Sequence, residues 1–232
     1  MSGTEGGAVS FPAFHERTSE MGPGDLARVR LAEVTRDFIR GSMVSTADAT
    51  DILAAAGLVA EALARVTRDG APGNVAAADS HFTDRSPFYG TMNPLSMPMQ
   101  LGRDDAFGEH GLITGRAVFT EPHEGPPGHV HGGFIASAFD EVLGMSQSLT
   151  GRPGMTGRLT VTYRAPTPLH SEIVFRGWVD RVEGRKIHTK GTSHHGDVLC
   201  SEAEGLFLSF PPEMIDRLRK GRDVSGPRDE RG

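Results

Sequence analysis

The residues with the most chemical capacity lie in one stretch, Gly125-Pro-Pro-Gly-His-Val-His-Gly-Gly-Phe-Ile-Ala-Ser-Ala-Phe-Asp-Glu-Val-Leu-Gly144. Gly132 and Gly133 stand at the entrance of a predicted helix, where backbone N–H groups lack intrahelical partners and the helix dipole is positive. Without side chains there, a ligand oxygen can approach the backbone, which is the geometry needed to polarise a carbonyl. A bare tight turn uses the same residues. Asp140 adds an acid. If Ile135, Ala138, Val142, Met145 and Leu149 form the buried stripe, about 100° per residue places Asp140 on the opposite face, with Gly133, Ser137, Gly144 and Gln147. A plain solvent-facing side would show the same pattern. Distance makes a stronger statement. Asp140 lies seven residues into the helix, roughly 10 Å along its axis, whereas an acid and a pair of N–H donors must each come within about 3 Å of one carbonyl. One copy of the helix cannot supply both, so joint action requires an antiparallel second copy and hence a homodimer.

The elements that must position these residues follow from composition and periodicity. The chain has 232 residues, 37% hydrophobic and 23% charged, a balance typical of a globular protein. Its net charge of −6 gives no basic nucleic-acid footprint. The lone Cys200 excludes an internal disulfide or a four-thiolate metal site. The first twenty residues contain no apolar signal core, and no run approaches the ~18 apolar residues of a membrane span. The expectation is a cytoplasmic protein with no membrane span.

Residues 1–24 are rich in Gly, Ser, Thr, Pro and Glu and are expected to form a flexible arm. A helical extension is predicted over 25–70. Its first helix carries Leu26, Val29, Leu31, Val34 and Phe38. Its second, capped by Thr50 or Asp51, carries Ile52, Ala55, Val59, Leu63 and Val66 at helical spacing, and the two could form a hairpin. The main domain is placed at 71–212, starting with loop to about 108. A strand over 112–119 follows, then a proline- and glycine-rich turn (Glu121 to Gly128) and a helix over 133–150. From Leu159 the pattern alternates with period two, and further strands are expected near 171–181, 185–193 and 197–210, separated by Gly184 and Gly196. The class is α+β, a helix lying on an antiparallel sheet. Residues 213–232 are a charged tail. On strand alternation Thr156, Thr162 and Arg164 share parity, so one strand face is expected to present all three.

Taken together, Gly125 to Gly128, His131-Gly132-Gly133, Asp140 nine residues after His131, and Thr156 sixteen after Asp140 resemble the hotdog-fold acyl-CoA thioesterases of the phenylacetate-pathway (PaaI-type) group. They resemble in particular the branch that contains the mitochondrial carboxyl-terminal modulator protein. Tyr163-Arg164, Pro166, Pro168-Leu169 and Val182 to Lys186 extend the resemblance over about residues 110–210. It implies a hotdog fold, in which a five- to six-stranded antiparallel sheet wraps a central helix, here behind a two-helix extension. It also implies Asp140 as nucleophile or general base, Gly132 and Gly133 N–H groups on the carbonyl, His131 shaping the site and Thr156 orienting water or carboxylate. Thr162, Arg164, Arg185 and Lys186 match positions that contact coenzyme A. The substrate is then an acyl-CoA, the assembly a homodimer or dimer of dimers, and no metal or other cofactor is required.

Three other readings fit the residues less well. A non-catalytic acyl-CoA binder has no use for an acid beside the thioester. A hotdog enoyl-CoA hydratase is expected to pair a catalytic His with an acid in a different motif. His129-Val130-His131 has the spacing of a metal-binding pair, but the following Gly-Gly-Phe-Ile enters a helix instead of supplying a further ligand. His194-His195 at a turn is expected to be solvent-exposed, and Cys200 in a strand and the Met92–Met99 segment are expected to pack in the core.

Overall fold

The computed structural model describes residues 20–67, 83–97, 99–152 and 154–210. The expected tail over 213–232, most of the arm and the 68–82 stretch lie outside them. Two helices come first, α1 (Pro23–Met43) and α2 (Ala49–Val66). They are followed by β1 (Gln100–Asp104), β2 (Leu112–Val118), α3 (Gly132–Ser148), β3 (Gly154–Tyr163), β4 (Glu172–Glu183), β5 (Lys186–His195) and β6 (Val198–Ser209). The six strands make one sheet in the order β1-β2-β4-β5-β6-β3, antiparallel at every pairing. Gly184 and Gly196, with φ of 58° and 56°, turn the β4–β5 and β5–β6 hairpins in a conformation that only residues like glycine adopt at low cost.

Helix α3 lies across this sheet and forms the core with it. Ile135, Ala138, Phe139, Val142, Leu143, Met145, Ser146 and Gln147 are buried, against Ile113, Phe119, Ile173, Phe175, Ile187 and Phe207 among others. Close approach is possible because the sheet is nearly bare beneath the helix. Gly177 pairs with Gly191 and Gly191 with Ala203. A Cβ on Gly177 would come 2.7 Å from Ser146 Oγ and 2.9 Å from Val142, and one on Gly191 3.1 Å from Leu143. Each large apolar side chain removed from water here contributes about 1.5–3 kcal/mol.

Four expectations are corrected. The 70–108 region contains a strand, β1, an edge strand whose residues are mostly exposed, so no apolar alternation marked it. Gln147 is buried, not on the open face with Asp140, because the core-facing stripe widens to include Phe139, Leu143 and Ser146. Helix α2 is capped earlier in the chain than Thr50 or Asp51, by Asp48, which accepts from the N–H groups of those two residues at 2.9 and 3.0 Å. The two N-terminal helices do not pack as a hairpin. No side chain of α2 is buried, and α1 leans on a 3-10 turn over Glu121–His123, where Arg40 Nε meets Glu121 Oε2 at 2.9 Å.

Candidate active site

His131 is the N-cap of α3. Its Nδ1 accepts the Gly133 N–H at 3.0 Å, satisfying one donor that the helix start leaves open. His131 is itself fixed from behind, since its N–H donates to the His123 carbonyl at 2.8 Å. The glycines have a steric reason as well as a chemical one. A Cβ on Gly132 would sit 3.0 Å from the Tyr163 hydroxyl, and one on Gly133 3.0 Å from His131 Nδ1. The Tyr163 hydroxyl donates to the Gly132 carbonyl at 2.8 Å, tying the first turn of α3 to the end of β3. Among the described residues nothing accepts the Gly132 N–H, whereas the Gly133 N–H is taken by His131.

Asp140 stands on the exposed face of α3, as its helical position requires. The Thr156 hydroxyl donates to its Oδ1 at 2.7 Å, which fixes the carboxylate orientation and leaves the other oxygen open. The neighbouring Glu141 is half-buried, turned about 100° toward the core. Burial first, and the Asp140 charge second, push the Glu141 carboxyl up to about 7. On its other side lies Tyr89, whose hydroxyl is pushed up by burial and then by the Glu141 charge. Sequence reasoning passed over Glu141, although an acid flanking the Ala138–Val142–Met145 stripe was the available signal.

A β-bulge at Gly157 decides what β3 presents. Thr156 pairs with Phe207, but Arg158 pairs with Leu206, so one residue is left over and alternation changes phase. Thr156 and Tyr163, seven apart, both reach α3. Regular alternation would send them to opposite faces. The expected shared face of Thr156, Thr162 and Arg164 is therefore corrected. Thr162 pairs with Glu202 on the face away from α3, and Arg164 Nε donates to Glu202 Oε2 there at 2.6 Å.

Within one chain the structure joins Asp140 to Thr156, and His131 to Gly133. It does not bring Thr162 or Arg164 to Asp140, since six residues of strand separate Thr156 from Thr162 by roughly 20 Å. Arg185 and Lys186 sit at the β4–β5 turn, with Arg185 Nε donating to the Ser209 carbonyl at 3.1 Å. Lys186 and Met155 both pair with Leu208, so the turn lies about 10 Å from the Thr156 end of β3. Among the described residues no group of three or more His, Cys, Asp or Glu is placed to hold a metal ion. The histidines of the loop serve it locally. Thr120 N–H donates to His123 Nδ1 at 3.1 Å, and His129 Nδ1 lies 2.9 Å from the Pro127 carbonyl. No described helix is long and apolar enough to cross a membrane.

Comparison with known proteins gives this geometry a context. A family model described as the thioesterase superfamily matches residues 127–200. The acyl-coenzyme A thioesterase THEM4 of Xenopus laevis is 38% identical over 91 residues, 38% of this chain and 41% of that protein. The protein of the same name from Bos taurus is 39% identical over 92 residues, 39% and 38% of the two chains. This chain thus spans about two fifths of the length of the curated relatives it matches. A crystal structure of a thioesterase superfamily protein superimposes with a TM-score of 0.70 at 28% identity, covering 78% of this chain and 94% of the other. Residues 127–200, with His131, Gly132, Gly133, Asp140 and Thr156 among them, are thus the stretch similar to the thioesterase superfamily, and the sheet wrapped on α3 has the hotdog fold.

Proposed function

We propose that this chain hydrolyses an acyl-CoA to the free acid and coenzyme A at a site completed by a second copy. One observation carries the reading: Asp140 presents a carboxylate on the open face of α3, the helix that starts in Gly132-Gly133, and is held at 2.7 Å by Thr156. Asp140 either takes a proton from the water that attacks the thioester carbonyl, or attacks that carbonyl itself to form an acyl anhydride that water then hydrolyses to the acid. The C–S bond breaks, and the thiolate leaves as coenzyme A once protonated. The carbonyl oxygen gathers negative charge in this step and needs N–H donors, which Asp140's own helix start holds about 10 Å away.

A twofold partner resolves that distance. β3 is an edge strand whose outer side pairs with nothing among the described residues, and Met155 and Tyr163 are exposed along it. If two β3 edges pair antiparallel about Leu159, Thr156 of one chain lies opposite the partner's Thr162. The Asp140 end of one chain then meets the partner's Gly132, Tyr163 and Arg164. In this arrangement the Gly132 N–H serves as carbonyl donor, His131 fixes the loop, and Thr162, Arg164, Arg185 and Lys186 hold the nucleotide end of coenzyme A through charge-assisted hydrogen bonds.

The test follows thiol release from short, medium, long and aryl acyl-CoAs by wild type and Asp140→Asn. The expected result is turnover by wild type and a loss of about two or more orders of magnitude in the variant. The only cysteine, Cys200, is buried and adds little background. Coenzyme A binding without thiol release by either protein would replace hydrolysis with binding, and full activity in a strict monomer would end the shared-site reading.

A further inference from the structure

Helix α2 is apolar around most of its circumference, with Asp51, Glu61 and Arg65 as its only charged residues. Ile52, Leu53, Leu58, Val59, Leu63 and Val66 are nevertheless 45–72% exposed. A helix of this composition belongs in an interior, and eighteen residues without tertiary packing are close to the limit for helix stability in water. Ile52, Ala55, Val59, Ala62 and Val66 recur at alternating spacings of three and four, the seam of a short coiled coil. Asp51 and Arg65 each immediately precede a seam residue, so they flank the same side of the seam at opposite ends. Neither makes an ion pair among the described residues.

We propose that α2 is a self-association surface whose occupant is α2 of a second copy, packed antiparallel and seam to seam. The four central layers then match large to small, Ile52 against the partner's Ala62 and Ala55 against the partner's Val59, while Val66 overhangs at the helix end. The alanines let the axes approach toward the short end of the usual 8–10 Å. Asp51 comes within two residues, or about 3 Å of rise, of the partner's Arg65, and the same pair recurs on the other side of the twofold. In a parallel pair Asp51 and the partner's Arg65 would stay fourteen residues, or about 21 Å, apart along the axis, and neither would meet an opposite charge. A lipid surface fits less well, because helices that lie on membranes carry Lys and Arg on the polar face and α2 carries two acids and one base. The inference rests neither on hydrolysis nor on the β3 edge. A chain with both surfaces assembles as a dimer of dimers.

The full-length chain tests this by sedimentation velocity. Val59→Glu, on an exposed position and to a good helix former, is expected to remove one association step and halve the mass while thiol release per chain stays unchanged. Asp51→Arg and Arg65→Asp, examined separately, should each weaken association by about tenfold. Mixing the two, with a different tag on each, should restore it, since the arginine introduced in one variant then faces the aspartate introduced in the other. Unchanged mass in Val59→Glu, or a mixture no tighter than either variant alone, would overturn the proposal. So would a Val59→Glu chain of unchanged mass that loses wild-type binding to phosphatidylserine vesicles, which would make lipid the occupant.

Discussion

Helices α2 and α3 are close in length, eighteen and seventeen residues, and both carry apolar residues at helical spacing. Eight residues of α3 are buried and none of α2. The difference is made by the surface opposite. The sheet is shaped for α3 by the Gly177–Gly191–Ala203 row, which lets the helix backbone approach until Val142 and Leu143 touch strand backbone. No described element offers α2 a comparable bed. An apolar stripe therefore specifies that a helix needs cover, and the partner's small residues specify whether the same chain supplies it.

Substitutions can sharpen or break this contrast. The largest effect is expected in α3 from Phe139→Ala, which empties a fully buried site and should cost about 3–5 kcal/mol in urea unfolding. A loss below about 1 kcal/mol would mean the core does not depend on α3 as described. Glu141→Gln comes next and depends on pH. The folded carboxyl titrates at about 7, above its ordinary 4.5, so the fold holds the proton more tightly than the unfolded chain does. That stabilisation is complete below about pH 4.5 and is lost as pH rises through 7, by about 3 kcal/mol. Glu141→Gln should remove the slope and leave the variant more stable than wild type at pH 8. Equal slopes for the two would remove Glu141 from the account.

Gly177→Ala should cost about 1–3 kcal/mol, because the new methyl meets Ser146 and Val142 inside contact distance. A neutral outcome would show that α3 can lift off the sheet freely. The smallest effect is expected from Leu53→Ala, 72% exposed on α2 and off its seam, which should stay within about 0.5 kcal/mol. A loss comparable to that of Phe139→Ala would show that α2 has a bed after all.

Much of this organisation is legible in the residues. The Gly132-Gly133 entrance, the stripe from Ile135 to Met145 and the two glycine hairpins are local signals, and the structure follows them to within two or three residues. Asp140 was legible because helical geometry alone separates it from that stripe. β1 was hidden, since Gln100, Gly102, Arg103 and Asp104 on an exposed edge leave no alternation to read. The facing of Thr156 was hidden for a different reason. The period-two pattern from Leu159 to Arg164 extrapolates smoothly backwards, and only Gly157 marks where it fails. Glu141 was half-legible: its place beside the Ala138–Val142–Met145 stripe is local, whereas the depth of its burial depends on what packs around it.

The extra residue at Gly157 also gives β3 an unusual tolerance and an unusual vulnerability. The strand is in effect two segments spliced half a period out of step, one aiming Thr156 at Asp140 and the other aiming Tyr163 at the start of α3. Residues on the far face, such as Arg158 and Thr160, can be exchanged over generations without disturbing either aim. Loss of one residue at the splice has the opposite consequence. It works as a frame shift in space: the chain after it keeps its pairing with β6, and Thr156 turns away from the acid it orients.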